Sequence, residues 1–289
     1  MSQPLVSIII PNYNHANYLE ERIFSILNQS YQNFELIILD DSSTDNSLDI
    51  LDKYVNNDKV SYFVKNTKNS GSPFKQWKKG LKLAKGDYVW IAESDDYCAL
   101  NFIESQLNKL SQADISVAKT CIITKSIGNE KVINHPVFND STNVILKREQ
   151  FVHCPITNIS TVIFKNLNSN KLLNSKFENY NLIGDLVFYY EIFNGLNVIY
   201  NEDTISYFRK MGLSNLTNKS LKYFNTYFDE HVRFIKYVNN SENKELKYFL
   251  KPYIKKHFYK IRHRKTFKQK MSILFIFIFL KYKWQMLIN

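Results

Sequence analysis

A chain of 289 residues can bury a substantial core, as one large domain or as one domain with an appendage. Its 44% hydrophobic and 22% charged content is that of an ordinary globular protein and excludes a low-complexity class. The net charge of +11 is uneven: residues 217–289 hold 17 Lys+Arg against 4 Asp+Glu, a net of +13, which leaves −2 for residues 1–216. A near-neutral body with a basic tail implies that the tail meets something anionic, a membrane surface or a nucleic acid. Cys98, Cys121 and Cys154 are odd in number and lack CxxC spacing, which argues against a disulfide framework or a zinc site and for a reducing compartment. Met1 to Pro4 lead at once into an apolar run, so no secretory signal is expected.

In chain order, Leu5–Ile10 predicts a first strand ended by Pro11, which cannot donate to a sheet ladder. After the loop Asn12-Tyr13-Asn14-His15, the helical spacing of Leu19, Ile23, Ile26 and Leu27 predicts a helix to about Gln29. Phe34–Leu39 predicts a second strand, ending in Asp40-Asp41-Ser42-Ser43-Thr44-Asp45, with several candidate N-caps for a helix carrying Leu48, Leu51 and Tyr54. Val60–Val64 reads as a third strand. The loop Asn66–Ser72, with Gly71, leads into a helix from Pro73 to Ala84. Gly86 then precedes a fourth, buried strand, Tyr88–Ala92. Strands alternating with helices predict right-handed crossovers and a largely parallel sheet.

Glu93, Asp95 and Asp96 crowd the end of the fourth strand. Clustered carboxylates repel one another unless a cation lies between them, and oxygen ligands without Cys or His suit Mg²⁺ or Mn²⁺. An acidic turn capping the next helix is the bland alternative. Ligands of such sheets sit beyond the carboxyl ends of the strands, a rule that puts Pro11–Asn14, Asp40–Ser43 and Glu93–Asp96 on one rim. Three such clusters are harder to explain by capping than one.

The ordered set VSIIIPNYN, LIILDDSSTDNS, the NSG loop and AKGDYVWIAESDD resembles the N-terminal half of family 2 glycosyltransferases, over about residues 4–110, with a weaker likeness over 155–215. The resemblance implies an α/β GT-A fold (Rossmann-like, mostly parallel sheet), a nucleotide-activated sugar donor and inversion at the anomeric centre. It implies that Pro11 and Tyr13 lie along the nucleotide, with Gly71 in the NSG loop, and that Asp40 and Asp41 contact base and ribose. Glu93-Ser94-Asp95 falls at the family's DxD position, with Asp95 the direct ligand of Mn²⁺ or Mg²⁺. Glu93 replaces the usual first Asp and reaches one methylene further, towards ribose or a metal-bound water. Gln76-Trp77 stands where the family often has Arg-Asn, so phosphate neutralisation would pass to Lys75, Lys78 or Lys79, with Lys78 the first candidate.

Further on, Ile115–Lys125 and Lys131–Asn134 around Gly128-Asn129 predict a hairpin, Asn143–Cys154 the start of a helix, and Ile159–Lys165 a strand. Leu182-Ile183-Gly184-Asp185 precedes a helical segment closed by Gly195. By resemblance Asp185 is the catalytic base, with Gly184 where another acid often stands; an N-cap is its ordinary alternative. Ser206–Ser214 resembles the family's YRxHxxS segment: Arg209 matches, as a donor-binding residue, and Met211 replaces the His, a poor ligand for a hard cation. His135 and His153 are placed by no motif.

The tail predicts two helices split near Asn239–Ser241, then nine Lys or Arg between Lys251 and Lys270, then the apolar run Ser272–Leu280 with Lys281, Lys283 and Trp284. A run of nine or ten apolar residues, about 15 Å of helix, is too short to span a bilayer and suits an interfacial anchor on an anionic leaflet; packing against the body is the alternative. The organisation expected is therefore a GT-A domain over 1–216, with a nucleotide-binding half (1–110) and an acceptor half (111–216), followed by a basic helical extension over 217–289. The function expected is transfer from a nucleoside-diphosphate sugar, a UDP-sugar first, to a hydroxyl of a surface polysaccharide or lipid-linked glycan. The enzyme is expected in the cytoplasm, peripheral on the inner face of the membrane, with nucleic acid the weaker partner because it does not explain the aliphatic run. Two alternatives are a nucleotidyltransferase, which usually opens on a Gly-rich loop absent after the first strand here, and a non-catalytic nucleotide-binding module held by its tail.

Overall fold

The computed structural model describes residues 3–124, 130–138, 142–166, 169–210, 220–240 and 247–288. The first half is β1 (Val6–Asn12), α1 (Ala16–Leu27), β2 (Phe34–Asp40), α2 (Ser47–Leu51), β3 (Val60–Lys65), α3 (Pro73–Leu83), β4 (Tyr88–Ile91), β5 (Tyr97–Cys98) and α4 (Phe102–Leu110). Then come β6 (Ile115–Ile123), β7 (Glu130–Ile133), β8 (Asn143–Ile145), β9 (Val162–Lys165), α5 (Ser169–Asn174), α6 (Gly184–Phe188) and β10 (Asn197–Arg209). The tail forms α7 (Leu221–Asn240), α8 (Lys247–Arg262), α9 (Phe267–Lys270) and α10 (Ile273–Ile288).

The described strands form one sheet in the order β3-β2-β1-β4-β9-β6-β10-β5, with β7 beside β6 and β8 beside β10. β3, β2, β1 and β4 are mutually parallel, while β9 runs antiparallel between β4 and β6. This is the α/β GT-A architecture expected, with a helical C-terminal region, but the sheet is mixed rather than mostly parallel: among the described strands five of the nine pairings are antiparallel. β1 and β2 are buried throughout and almost wholly apolar, because helices cover both faces of a parallel sheet. Gly86 is required by close approach: a Cβ there would lie 2.6 Å from the Leu5 carbonyl oxygen and the Ser7 nitrogen.

Several elements differ from expectation. Pro11 lies inside β1, opposite Leu39. The β1–β4 register ends at Ile9–Ile91, and the Ile9 oxygen accepts from Ala92 N. Alternation then turns the Pro11 nitrogen to the side where β4 has ended, so the missing donor costs no ladder bond. Asn143–Cys154 forms β8 and a 3₁₀ turn, Arg148–Val152, instead of a helix, and the strand expected from Ile159 begins at Val162 after a 3₁₀ turn capped by Asn158. β6 and β7 pair as the hairpin expected, while its turn, like Met211, lies outside the described residues. Packing is continuous across position 216: one apolar cluster runs from Ile9 and Trp77 through Phe188 to Phe228, Phe258 and Tyr282.

Candidate active site

The carboxyl ends of β1, β2 and β4 open on a cleft of about 530 Å³ lined by Pro11, Tyr13, Asp41, Gly71, Glu93 and Asp95, together with Asn12, His15, Gln76, Asp96, Asn158 and Phe208. Two left-handed residues shape its rim, Asn14 (φ 57°) and Ser42 (φ 61°), the only non-glycine ones among the described residues. Such strain persists only where surroundings enforce it. Asn14 Oδ1 accepts from the backbone of Thr44 and Asp45, which ties the β1 and β2 loops together.

The two acids after β2 are used differently. Asp40 is fully enclosed, accepting from Asn12 Nδ2 and from Ser43 N and Oγ, so it braces the loop and does not line the cleft. Asp41 lines the cleft. Its Oδ1 accepts from Asn66 Nδ2, Ser70 N and Gln76 Nε2 at 2.6–2.9 Å, while Oδ2 accepts, among the described residues, only from Ser70 Oγ. That leaves Oδ2 room for a ligand donor. The Gln76-Trp77 pair is accounted for by these acids: Gln76 holds Asp41, and Trp77 Nε1 donates to Glu93 Oε1 at 2.6 Å.

Glu93 is tied to that indole, and burial, followed by the charges of Asp95 and Asp96, pushes it up to about 8. Asp96 is buried beneath Asn158 Nδ2 and Arg209 N and rises to about 6, through burial first and Asp95 second. The Asp95 carboxylate, on the cleft wall, has no hydrogen bond or ion pair among the described residues. Below the loop lies Arg22, fully buried, its three guanidinium nitrogens without hydrogen-bond partners among the described residues and its Cζ 4.8 Å from the Trp90 ring centre. Burial lowers its pKa, and the surrounding carboxylates oppose that shift. With Glu93 held mostly protonated at neutral pH, the buried Arg22 faces the Asp95 and Asp96 carboxylates. No described group of three His, Cys, Asp or Glu side chains forms a closed metal cage. The donor set instead fits a hard cation held by Asp95 alone and completed by water and phosphate oxygens.

Other expected donor residues stand back from the cleft. Ser94 is buried, its Oγ 2.7 Å from His15 Nδ1, and links the β1 and β4 loops. Arg209 lies behind the acidic loop, donating to the Asp95 carbonyl at 2.7 Å and to Glu21, with its guanidinium over Tyr18 and Tyr97. It therefore orients Asp95. Lys78 does not reach the cleft: it is buried, donating to Ser175 O (2.9 Å) and Glu178 Oε1 (2.8 Å), and fastens α3 to the loop before α6.

Asp185 is in the first turn of α6, where its Oδ1 accepts from Leu186 N, and burial raises its carboxyl to about 6. It is not the N-cap, which is Ile183. A Cβ at Gly184 would lie 2.2–2.7 Å from the Phe74 ring, so the ring fills the place of any side chain there. The segment that carries Asp185 is held from the tail: Glu230 of α7 accepts from the backbone N–H groups of Asn181, Leu182 and Ile183 at 2.7–3.2 Å. Arg22, Asn158 and Glu230 belong to no motif. The only sequence trace of Arg22 and Glu230 is a charge on an apolar helix face, Arg22 among Leu19, Ile23 and Ile26, Glu230 between Tyr227 and Phe234.

Four parallel strands with an acid-lined cleft at their carboxyl rim define an α/β protein of the GT-A kind. The family model for glycosyl transferase family 2 matches residues 7–166, more than half of the chain, and the chain belongs to that family. It is 45% identical over 113 residues to an uncharacterized glycosyltransferase of Haemophilus influenzae, covering 39% of this chain and 44% of that protein. A poly(ribitol-phosphate) beta-glucosyltransferase of Bacillus spizizenii is 36% identical over 118 residues, 39% of this chain and 19% of that one. The chain thus spans less than half the length of these curated relatives. Its fold matches the S. aureus TarS 1-349 structure in complex with UDP at a TM-score of 0.67 and 21% identity, over 93% of this chain and 75% of that one.

Proposed function

We propose that the protein is an inverting glycosyltransferase that moves a sugar from a nucleoside diphosphate, UDP first among the candidates, to a hydroxyl of a surface polysaccharide or lipid-linked glycan. The observation that carries this reading is the Asp95 carboxylate, without a partner among the described residues, in a cleft it shares with Asp41 at the carboxyl rim of the parallel sheet. Asp41 Oδ2 accepts from the base or ribose, and Tyr13, 45% exposed on the rim, packs along the nucleoside. Mn²⁺ or Mg²⁺ held by Asp95 would neutralise the diphosphate as it leaves. Asp185 takes the proton of the acceptor hydroxyl while the hydroxyl oxygen bonds to the anomeric carbon and the sugar–phosphate bond breaks. This single displacement inverts the centre and needs no enzyme nucleophile. A carboxyl raised to about 6 is a stronger base than an exposed one and is still ionised at neutral pH. The poly(ribitol-phosphate) relative supports a cell-surface polymer as acceptor, and the basic tail and free cysteines support a cytoplasmic enzyme on the inner face of the membrane.

Thermal unfolding with UDP, GDP, CDP and dTDP, each with and without Mn²⁺, tests the site. A ligand at 100 times its Kd adds about 2.7 kcal/mol. The expected result is stabilisation by UDP that requires metal and disappears in Asp95→Ala. Stabilisation by no nucleotide under any condition would overturn the assignment.

A further inference from the structure

The tail helix α10 has two faces of opposite fate. At 100° per residue, Phe275, Ile278 and Tyr282 form one stripe, and they are buried against α7 and α8. Tyr282 stacks on Phe258 with ring centres 4.1 Å apart, and Lys281 is bound to Asp229 of α7 at 2.7 Å. On the opposite side Ile273, Phe277, Leu280, Trp284 and Leu287 form a second stripe at spacings of four, three, four and three, and these five are 49–88% exposed. The same angular reckoning puts Lys281 on one flank of that stripe and Lys283 on the other. Phe267 and Met271, just before the helix, extend the apolar surface with 80% and 65% exposure, beside Lys268 and Lys270. A docked helix ordinarily turns its polar face outward; this one is apolar on both.

Among the described residues no helix is long and apolar enough to cross a membrane. We infer that the outer face of α10 is a rigid membrane-docking surface that lies in the headgroup region of an anionic leaflet, with its apolar stripe down and the exposed Lys283 and Lys268 beside the lipid phosphates, Lys281 being held by Asp229. Charge selects this occupant. A second copy would bring together two tails each carrying +13, whereas an anionic bilayer meets both the charge and the aliphatic stripe. A nucleic acid meets only the charge. The docking is rigid because the inner stripe is fixed to α7, the helix whose Glu230 holds the Asp185 segment. The inference refines the peripheral-membrane reading given above, yet its test does not depend on catalysis.

The test is co-sedimentation of the full chain with vesicles of phosphatidylcholine alone or with about 30% phosphatidylglycerol, at low and high salt. Expected is binding at least about tenfold tighter to the anionic vesicles, weakened by salt, and lost in Leu280→Asp/Trp284→Asp. Both positions are exposed, so the variant keeps its fold, checked by an unchanged melting temperature and an unchanged response to UDP. Equal binding to both vesicle types, or anionic binding untouched by the double variant, overturns the inference. So does a concentration-dependent dimer that the variant abolishes, which would assign the face to a second copy. Vesicle binding without any UDP response would leave the docking surface standing and remove the enzyme reading alone.

Discussion

The acidic loop after β4 and the polar groups around α7 are wholly or partly buried, and they reach charge balance in opposite ways. Around α7 the partners are within the chain. Glu230 has three backbone N–H donors, Glu191 has those of Lys176 and Phe177 and the Tyr237 hydroxyl, and Lys78 has Glu178. His231 and His257 stack at 3.5 Å and each meets a tyrosine hydroxyl. Around Asp95 the balance is incomplete: Glu93 and Asp96 are driven up in pKa, Asp95 has no partner among the described residues, and Arg22 is the buried cation below them. Burial with internal partners makes a scaffold. Burial without them carries a free-energy cost that, under the proposed function, a bound ligand would relieve.

The largest effect that can break this contrast is at the proposed base. Asp185→Asn should lower kcat by about 10²–10⁴ while leaving UDP-dependent stabilisation intact. In the wild type the rate should fall as pH drops below about 6, since the base works ionised and its carboxyl sits near that value. A variant with most of its turnover would remove Asp185 from the mechanism. Next comes Glu230→Ala, which strips the acceptor from three N–H groups. It should cost about 2–4 kcal/mol of stability and roughly 10–100-fold in kcat by loosening the Asp185 segment, with UDP affinity within about twofold and partial rescue by Glu230→Gln. Unchanged kcat in folded protein would make α7 a scaffold only.

Two smaller effects sharpen it. Burial depresses both stacked histidines; the charge of His257 and nearby lysines lower His231 further, and Lys260 and Lys256 lower His257 further, to about 3. The unfolded chain therefore takes up protons first, and stability should be full above about pH 6.5 and decline as pH falls towards 3, by roughly 2–4 kcal/mol at pH 5. Melting curves between pH 8 and 4.5 check this, and His257→Phe should flatten them. Lys78→Met should cost about 1–3 kcal/mol of stability through the lost Glu178 and Ser175 bonds and leave UDP affinity unchanged. A loss of UDP affinity without a loss of stability would return Lys78 to the phosphates.

The alternation of apolar runs makes the parallel half-sheet legible, since period-2 and period-3.6 patterns are local properties. The rim residues follow from one topological rule applied to Pro11–Tyr13, Asp41 and Asp95. Lys78 escapes such a reading because an Nζ at the end of four methylenes goes wherever an acid awaits it, and Glu178 is one hundred positions away. Asp40 and Asp41 are indistinguishable as a dipeptide, yet pleat alternation turns one into the loop and the other to the cleft. Asn143–Cys154 reads as helix from its local pattern, and pairing with β10 decides for a strand.

The sequence alone determined the parallel strands of the first half, the acidic rim and the basic, apolar-ended tail, because spacing, charge and hydropathy are carried by neighbours in the chain. Only the tertiary structure decided which buried charges found partners. Arg22 came to lie under Asp95, Glu230 reached the segment of Asp185, and α10 buried one stripe while exposing the other. Those outcomes depend on contacts between residues dozens of positions apart, where the low dielectric of the interior gives each pairing its weight.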